Sequence, residues 1–141
     1  MASQVVSGLF LKANEVRVVT LSGYRGEHEL IAPKVSKFSL LKNPLQADVQ
    51  QFIAQLQAYI SEHNVAKVVL NRRATSGQGA GGAGTFLMEG AILACIRVDI
   101  EFVHPATLRA TDKRCGALKP AKPTTVDLGK AYDLAFEALV D

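Results

Sequence analysis

Apolar residues recur along this chain with two different periods, and the switches between them lay out the predicted elements. Residues 4–12 (QVVSGLFLK) are rich in β-formers and apolar through Leu9 to Leu11, as in a central strand. After a turn at Ala13-Asn14-Glu15, residues 16–22 (VRVVTLS) partly alternate and should return as the antiparallel partner of a hairpin. Gly23-Tyr24-Arg25-Gly26 makes a second turn, and a third strand is expected within residues 27–40, with Lys34 and Lys37 leaving the core face. Pro33 in that stretch argues for a sheet edge, where a missing N–H costs least.

The period then changes. Asn43-Pro44 supplies an N-cap and first helical residue, and Leu45, Val49, Phe52, Ile53, Leu56 and Ile60 form one face of an amphipathic helix ending near Asn64. Residues 66–71 read as a strand buried on both faces. Residues 86–96 fit a helix whose Gly90, Ala91 and Ala94 allow close packing, with Cys95 on an apolar, core-facing side. Residues 98–103 (VDIEFV) alternate as a further strand, closed by His104-Pro105. Residues 110–124 carry Lys113, Arg114, Lys119 and Lys122 with two prolines, the composition of a mobile basic loop. Residues 126–139 close the chain as a helix through Leu128, Ala131, Leu134, Ala135 and Ala138.

The order βββαβαβα predicts an α/β domain spanning residues 1–141, a five-stranded mixed sheet with helices on both faces. Its first and fourth strands should lie side by side at the centre. Open sheets of this kind bind ligands at the carboxyl ends of strands where the winding reverses. Lys12 and Asn71-Arg72 emerge there.

Composition adds few constraints. The 141 residues suffice for one core without disulfides or metals, and 48% apolar with 21% charged residues is ordinary for a globular protein. A net charge of +3 permits a polyanionic partner without demanding one. Cys95 and Cys115 make neither a metal spacing nor a disulfide framework, so a reducing cytoplasm is the default. No apolar run approaches the roughly 18 residues of a membrane span, which sets a membrane partner aside.

Candidate chemistry concentrates in one stretch. A buried strand (KVVLN) runs into Arg72-Arg73, then a glycine-rich loop, then a helix. Backbone N–H groups and the helix dipole at such a junction favour anions, and two guanidinium groups stand beside it. Gly79, Gly81 and Gly84 spell GxGxxG, but seven residues separate the strand from Gly79, and no Lys-Ser or Lys-Thr follows the glycines as in a P-loop. Gly79 and Gly84 serve at least as well for tight turns and close helix packing, whereas Gly81-Gly82 fit ligand binding better. Thr85 is expected first as the N-cap of the second helix and then as a phosphate contact. Arg72 or Arg73 can equally form a structural ion pair with Glu89 or Asp133. His104 reads as a turn histidine, and His28 and His63 as surface residues. Aromatic residues are only 6% of the chain and none interleaves the basic run from Arg109 to Lys122, so base stacking along that run lacks support.

Arg73-Ala74-Thr75, Gly77, Ala80-Gly81-Gly82-Ala83, Thr85-Phe86, Met88-Glu89 and Ala91-Ile92 together carry a resemblance, with lesser support from Gly8, residues 105–109 and residues 130–139. With the strand order, they resemble the ribonuclease H-like superfamily in its Holliday-junction-resolvase-like branch. The nearer match is to short bacterial proteins grouped as a domain of unknown function. Active members of the superfamily cut nucleic acid with two divalent metals held by carboxylates from the first strand, the fourth strand's end and the last helix. That chemistry needs several converging acids. Here the resemblance places Phe10 at the first position and Arg72, preceded by Asn71, at the second. Asp133 alone still fits as a residual superfamily acid.

The expectation is therefore a catalytically degenerate domain, with no catalytic residue, metal or cofactor, that binds nucleic acid or another phosphate-rich anion. Its binding residues would be Lys12, Asn71, Arg72, Arg73, Gly81, Gly82, Thr85 and Arg109. The alternatives are a protein for a small phosphorylated metabolite or nucleotide, and a structural interaction domain, with a homodimer suggested by superfamily relatives.

Overall fold

Strand β1 (Gln4–Lys12) is the one on which the sheet assembles. It pairs antiparallel along its entire length with β2 (Glu15–Tyr24), through a turn in which Ala13 takes a left-handed φ of 55°. Its other edge pairs parallel with β5 (Lys67–Asn71), and β6 (Asp99–Val103) extends the sheet parallel to β5. The structure, a computed structural model, describes residues 4–72 and 82–141.

The third strand expected within residues 27–40 is two short strands. β3 (Glu27–Ile31) pairs with residues 20–24 of β2, and β4 (Lys37–Ser39) pairs with residues 15–17 of the same edge. The described sheet is thus six-stranded, β3-β2-β1-β5-β6 with β4 also on β2. The break has a local cause: Ala32 adopts a left-handed φ of 48°, and Pro33 has no N–H to give to the ladder. Pairing resumes once the Val18 N–H reaches the Ser36 carbonyl at 3.0 Å.

Alternation along the strands divides the core into two layers. Leu9 and Leu11 of β1, Val16 and Val18 of β2, and Val68 and Leu70 of β5 face α1 (Gln46–Glu62) and α2 (Ala83–Cys95). Val6, Val19, Leu21 and Val69 face α4 (Val126–Ala138) on the opposite side. β5 is buried on both faces, as its apolar run predicts. Gly8 belongs to the second layer for a steric reason: a Cβ there would stand 1.9 Å from the Ala131 carbonyl oxygen. The strand and helix backbones are in contact at that point.

Helix boundaries depart from expectation in informative ways. α1 begins at Gln46, because the Asp48 carboxylate accepts the Leu45 N–H at 2.9 Å and makes Leu45 the cap; Leu45 is 74% exposed and not part of the apolar face. A third helix, α3 (Pro105–Cys115), followed by a 3₁₀ turn (Gly116–Leu118), occupies much of the segment expected as a loop. Its start is built by His104, whose Nδ1 accepts the Ala106 N–H at 3.0 Å, with Pro105 at the first helical position. Cys95 ends α2 on its outer side and is exposed, since Met88 and Ile92 take the inward positions. His28 is half-buried and not a surface residue: its Nε2 hydrogen-bonds the Tyr132 hydroxyl and its ring lies 5.5 Å from that of Phe136. Among the described residues no helix is long and apolar enough to cross a membrane.

Candidate functional site

Because β1 and β5 run parallel, their carboxyl ends open at the same edge of the sheet. Side chains alternate across a strand, so Asn71 continues the Val69 row toward α4 while Arg72 continues the Leu70 row toward α2. The contacts agree. The Asn71 Oδ1 accepts the Leu11 N–H at 3.3 Å, whereas the Arg72 guanidinium lies 3.9 Å above the Phe102 ring on the other face. Of the two neighbours at the end of β5, Asn71 therefore shares a cleft with Phe10 and Asp133, and Arg72 does not. The sequence reading had placed Arg72 at this position; the pleat puts Asn71 there.

That cleft has a volume of about 310 Å³ and is enclosed by β1, β5, α3 and α4. Phe10, Pro105, Leu108 and Leu134 form an apolar wall, while Asn71, Arg109, Asp112, Lys130 and Asp133 supply polar groups. The Lys130 ammonium sits 5.0 Å from the Phe10 ring centroid, as a cation over an aromatic face. The hollow of about 560 Å³ between the ends of α1 and α2 is lined by a single charged residue, Arg97.

The electrostatics turn on two lysines. Asp133 is 8% exposed on the otherwise apolar inner face of α4, and each of its oxygens holds an ammonium: Oδ1 with Lys119 and Oδ2 with Lys122, both at 2.8 Å. Lys119 also pairs with Asp112 of α3, and its side chain is only 4% exposed. The two cleft carboxylates are thus neutralised from behind. Arg109 and Lys130 remain as an excess of positive charge facing the opening. Burial first, and the Asp133 carboxylate second, push the Tyr132 hydroxyl up to about 12, so it stays protonated as the hydrogen-bonding partner of His28.

The other described residues of the expected set lie around this edge without lining the cleft. Lys12 ends β1 with its side chain 66% exposed, 3.6 Å from Asp127. Thr85 is not the N-cap of α2. Gly82 holds that position, and the buried Thr85 hydroxyl donates to the Ala13 carbonyl at 3.0 Å. This bond fastens α2 to the β1–β2 turn and leaves the hydroxyl no role as an anion contact. Gly84 lies on the same approach: a Cβ there would displace the Asn14 side-chain amide and stand 3.1 Å from the Ala13 carbonyl oxygen. Arg73 and Gly81, with Gly79, lie outside the described residues. Among the described residues, Asp133 takes its ion pairs from lysines and not from Arg72.

Sequence reasoning missed Lys119 and Lys122, which it had assigned to a solvated loop. A signal was present. An aspartate within the apolar run Ala131 to Phe136 calls for a cation partner, and after Lys130 the nearest basic residues in sequence, Lys122 and Lys119, precede α4. Among the described residues no group of three or more His, Cys, Asp or Glu side chains could hold a metal ion. Two carboxylates, Asp112 and Asp133, both already bound to ammoniums, beside a phenylalanine and an amide, do not fit a pair of divalent ions.

A central hairpin continued by parallel strands, with helices on both faces and a last helix bringing one acid to the carboxyl ends of β1 and β5, is a ribonuclease H-like fold. Solved structures match it closely. RuvC of T. thermophilus in complex with a Holliday junction substrate aligns with a TM-score of 0.75 at 12% identity, over 94% of this chain and 91% of that one. A second Thermus thermophilus RuvC structure gives 0.71 at 14% identity over 94% and 92%. The yeast mitochondrial Holliday junction resolvase Ydc2 gives 0.57 at 9% identity over 96% and 76%. Likeness at these identities is a likeness of fold. The chain belongs to the family described as protein of unknown function (DUF3010), whose model matches residues 4–138. No curated protein matches it significantly in sequence.

Proposed function

We propose that this chain is a catalytically degenerate ribonuclease H-like domain that binds nucleic acid or another phosphate-rich anion without metal-dependent cleavage. One observation carries the reading. Where a metal pair would need converging carboxylates, the elements present Phe10 from β1, Asn71 from β5 and an Asp133 already held by Lys119 and Lys122. An ammonium tethered by its own side chain removes the charge that would attract a divalent ion. Among the described residues at this edge, Arg72, Arg109 and Lys130 are positive and enter no ion pair, and Arg73 follows directly in sequence. The RuvC neighbour, solved in complex with a Holliday junction substrate, supports nucleic acid as the anion.

Fluorescence anisotropy with duplex, four-way-junction and single-stranded probes at low salt tests the proposal. Binding should appear with at least one probe and weaken steeply with added salt. Replacing two phosphate-contacting arginines (Arg72→Ala with Arg73→Ala) should weaken it by about tenfold or more and flatten the salt slope by about two. No binding to any probe, or binding indifferent to both substitutions, contradicts it. Light scattering on the same samples reads the homodimer that superfamily relatives suggest.

A further inference from the structure

We infer that the cleft between β1, β5, α3 and α4 accepts a single nucleoside monophosphate unit, with its base against the Phe10 wall and its phosphate between Arg109 and Lys130. This rests on the anion-binding reading above and narrows it. The cleft has two unlike surfaces, so its ligand must have two as well. Phe10, Leu108 and Leu134 form a wall that a bare phosphate would leave wet, while Arg109 and Lys130 at the opening call for an anion. At about 310 Å³ the cleft is at the small end of the range for small-molecule sites, too narrow for a duplex and adequate for one base with its sugar and phosphate.

The residues are disposed to hold such a unit. Phe10 offers an aromatic face, which tolerates any base because every base has a π-face. Lys130 now lies over that ring at 5.0 Å, and its flexible four-carbon stem lets the ammonium swing toward a phosphate as a base takes its place. Asn71 has its carbonyl oxygen turned to the Leu11 N–H, so the atom it can aim into the cleft is its Nδ2 donor, suited to an acceptor on base or sugar. Asp112 and Asp133, which would repel a phosphate, are paired with Lys119 and Lys122. The lysine pairs therefore make this cleft usable by an anion despite its two acids.

Isothermal titration of the full chain with adenosine and uridine monophosphates, inorganic phosphate and adenosine tests the inference. The nucleotides should bind saturably, and phosphate and adenosine should each bind at least about tenfold more weakly, because each satisfies only one surface. Lys130→Ala, at an exposed position, should weaken the nucleotides by about tenfold while leaving adenosine unchanged. Phe10→Leu should weaken nucleotides and adenosine alike, with a melting curve confirming that the variant folds. If it does not fold, Lys130→Ala and the ligand series decide. Competition against a labelled single strand separates the two sources of the unit: displacement means a strand end enters the cleft, and no displacement means that the free nucleotide is the ligand. Absence of saturable nucleotide binding up to about 10 mM, or phosphate binding as tightly as the nucleotides, overturns the inference. If oligonucleotides still bind in that case, the anion-binding reading stands and only the cleft's occupant is wrong; loss of both removes the reading itself.

Discussion

Replacing Lys119 with methionine should lower the unfolding free energy by about 3–5 kcal/mol, the loss typical when one partner of a buried ion pair is removed. The Lys119 side chain is 4% exposed and bridges Asp112 of α3 to Asp133 of α4, so one substitution takes an ammonium from both, although Asp112 can turn to water. Asp133, at 10% side-chain exposure, cannot turn to water for compensation and keeps only Lys122. The Lys119 ammonium also lies 4.7 Å from the Phe136 ring centroid, and that contact is lost too. Lys122→Met should cost much less, because that side chain is 34% exposed and holds a single oxygen. Adding Asp133→Leu to Lys119→Met should restore part of the loss, since an apolar pair of similar volume often matches a buried ion pair. Guanidinium chloride unfolding of the three variants reads these differences. A loss below about 1 kcal/mol for Lys119→Met would mean that water reaches the pair and that the cleft acids are not held neutral.

Gly8→Ala should be almost as damaging. The added methyl would stand 1.9 Å from the Ala131 carbonyl oxygen and 2.7 Å from the Ala135 nitrogen. Both are backbone atoms of α4, so no side chain can swing aside. The helix itself must move off the sheet, and the loss should reach the upper part of the roughly 1–3 kcal/mol range for overpacking, or exceed it. Because α4 also carries Asp133 and Lys130, the substitution should distort the cleft along with the core. A thermal melt followed by circular dichroism reads the effect, and an unchanged midpoint would show that strand and helix are not in contact here.

The parts of this fold legible in the sequence are those fixed by period alone. β1, β5 and α4 followed from apolar alternation or a continuous apolar run, and β1 beside β5 followed from connectivity. The misreadings arose where backbone geometry or a distant partner decided. Ala32 in a left-handed conformation breaks the outer strand in two, and no hydrophobic pattern records a backbone angle of that kind. The polar run after Pro105 became α3 because the His104 side chain caps it, a signal outweighed by the lysines downstream. At the site, the sequence points to Arg72 at the position of the superfamily acid, whereas the pleat of β5 turns Asn71 toward the cleft. A one-residue shift in a strand reverses the face, and only the register with β1 and β6 settles it. Thr85 was assigned to the helix end because hydroxyl residues favour that position, but packing against the Ala13 turn placed it three residues in.

The proposed anion binding, the proposed absence of nuclease chemistry and the proposed occupant of the cleft all depend on the nature of the cation at Asp133. A manganese titration monitored by electron paramagnetic resonance, run beside incubation of a four-way junction with Mg²⁺ or Mn²⁺, addresses it directly. With lysine ammoniums on both Asp133 oxygens, no stoichiometric site should appear and the junction should stay intact. One tightly bound manganese per chain, lost together with junction cleavage in Asp133→Asn, would show that a metal displaces the lysines and would contradict the account.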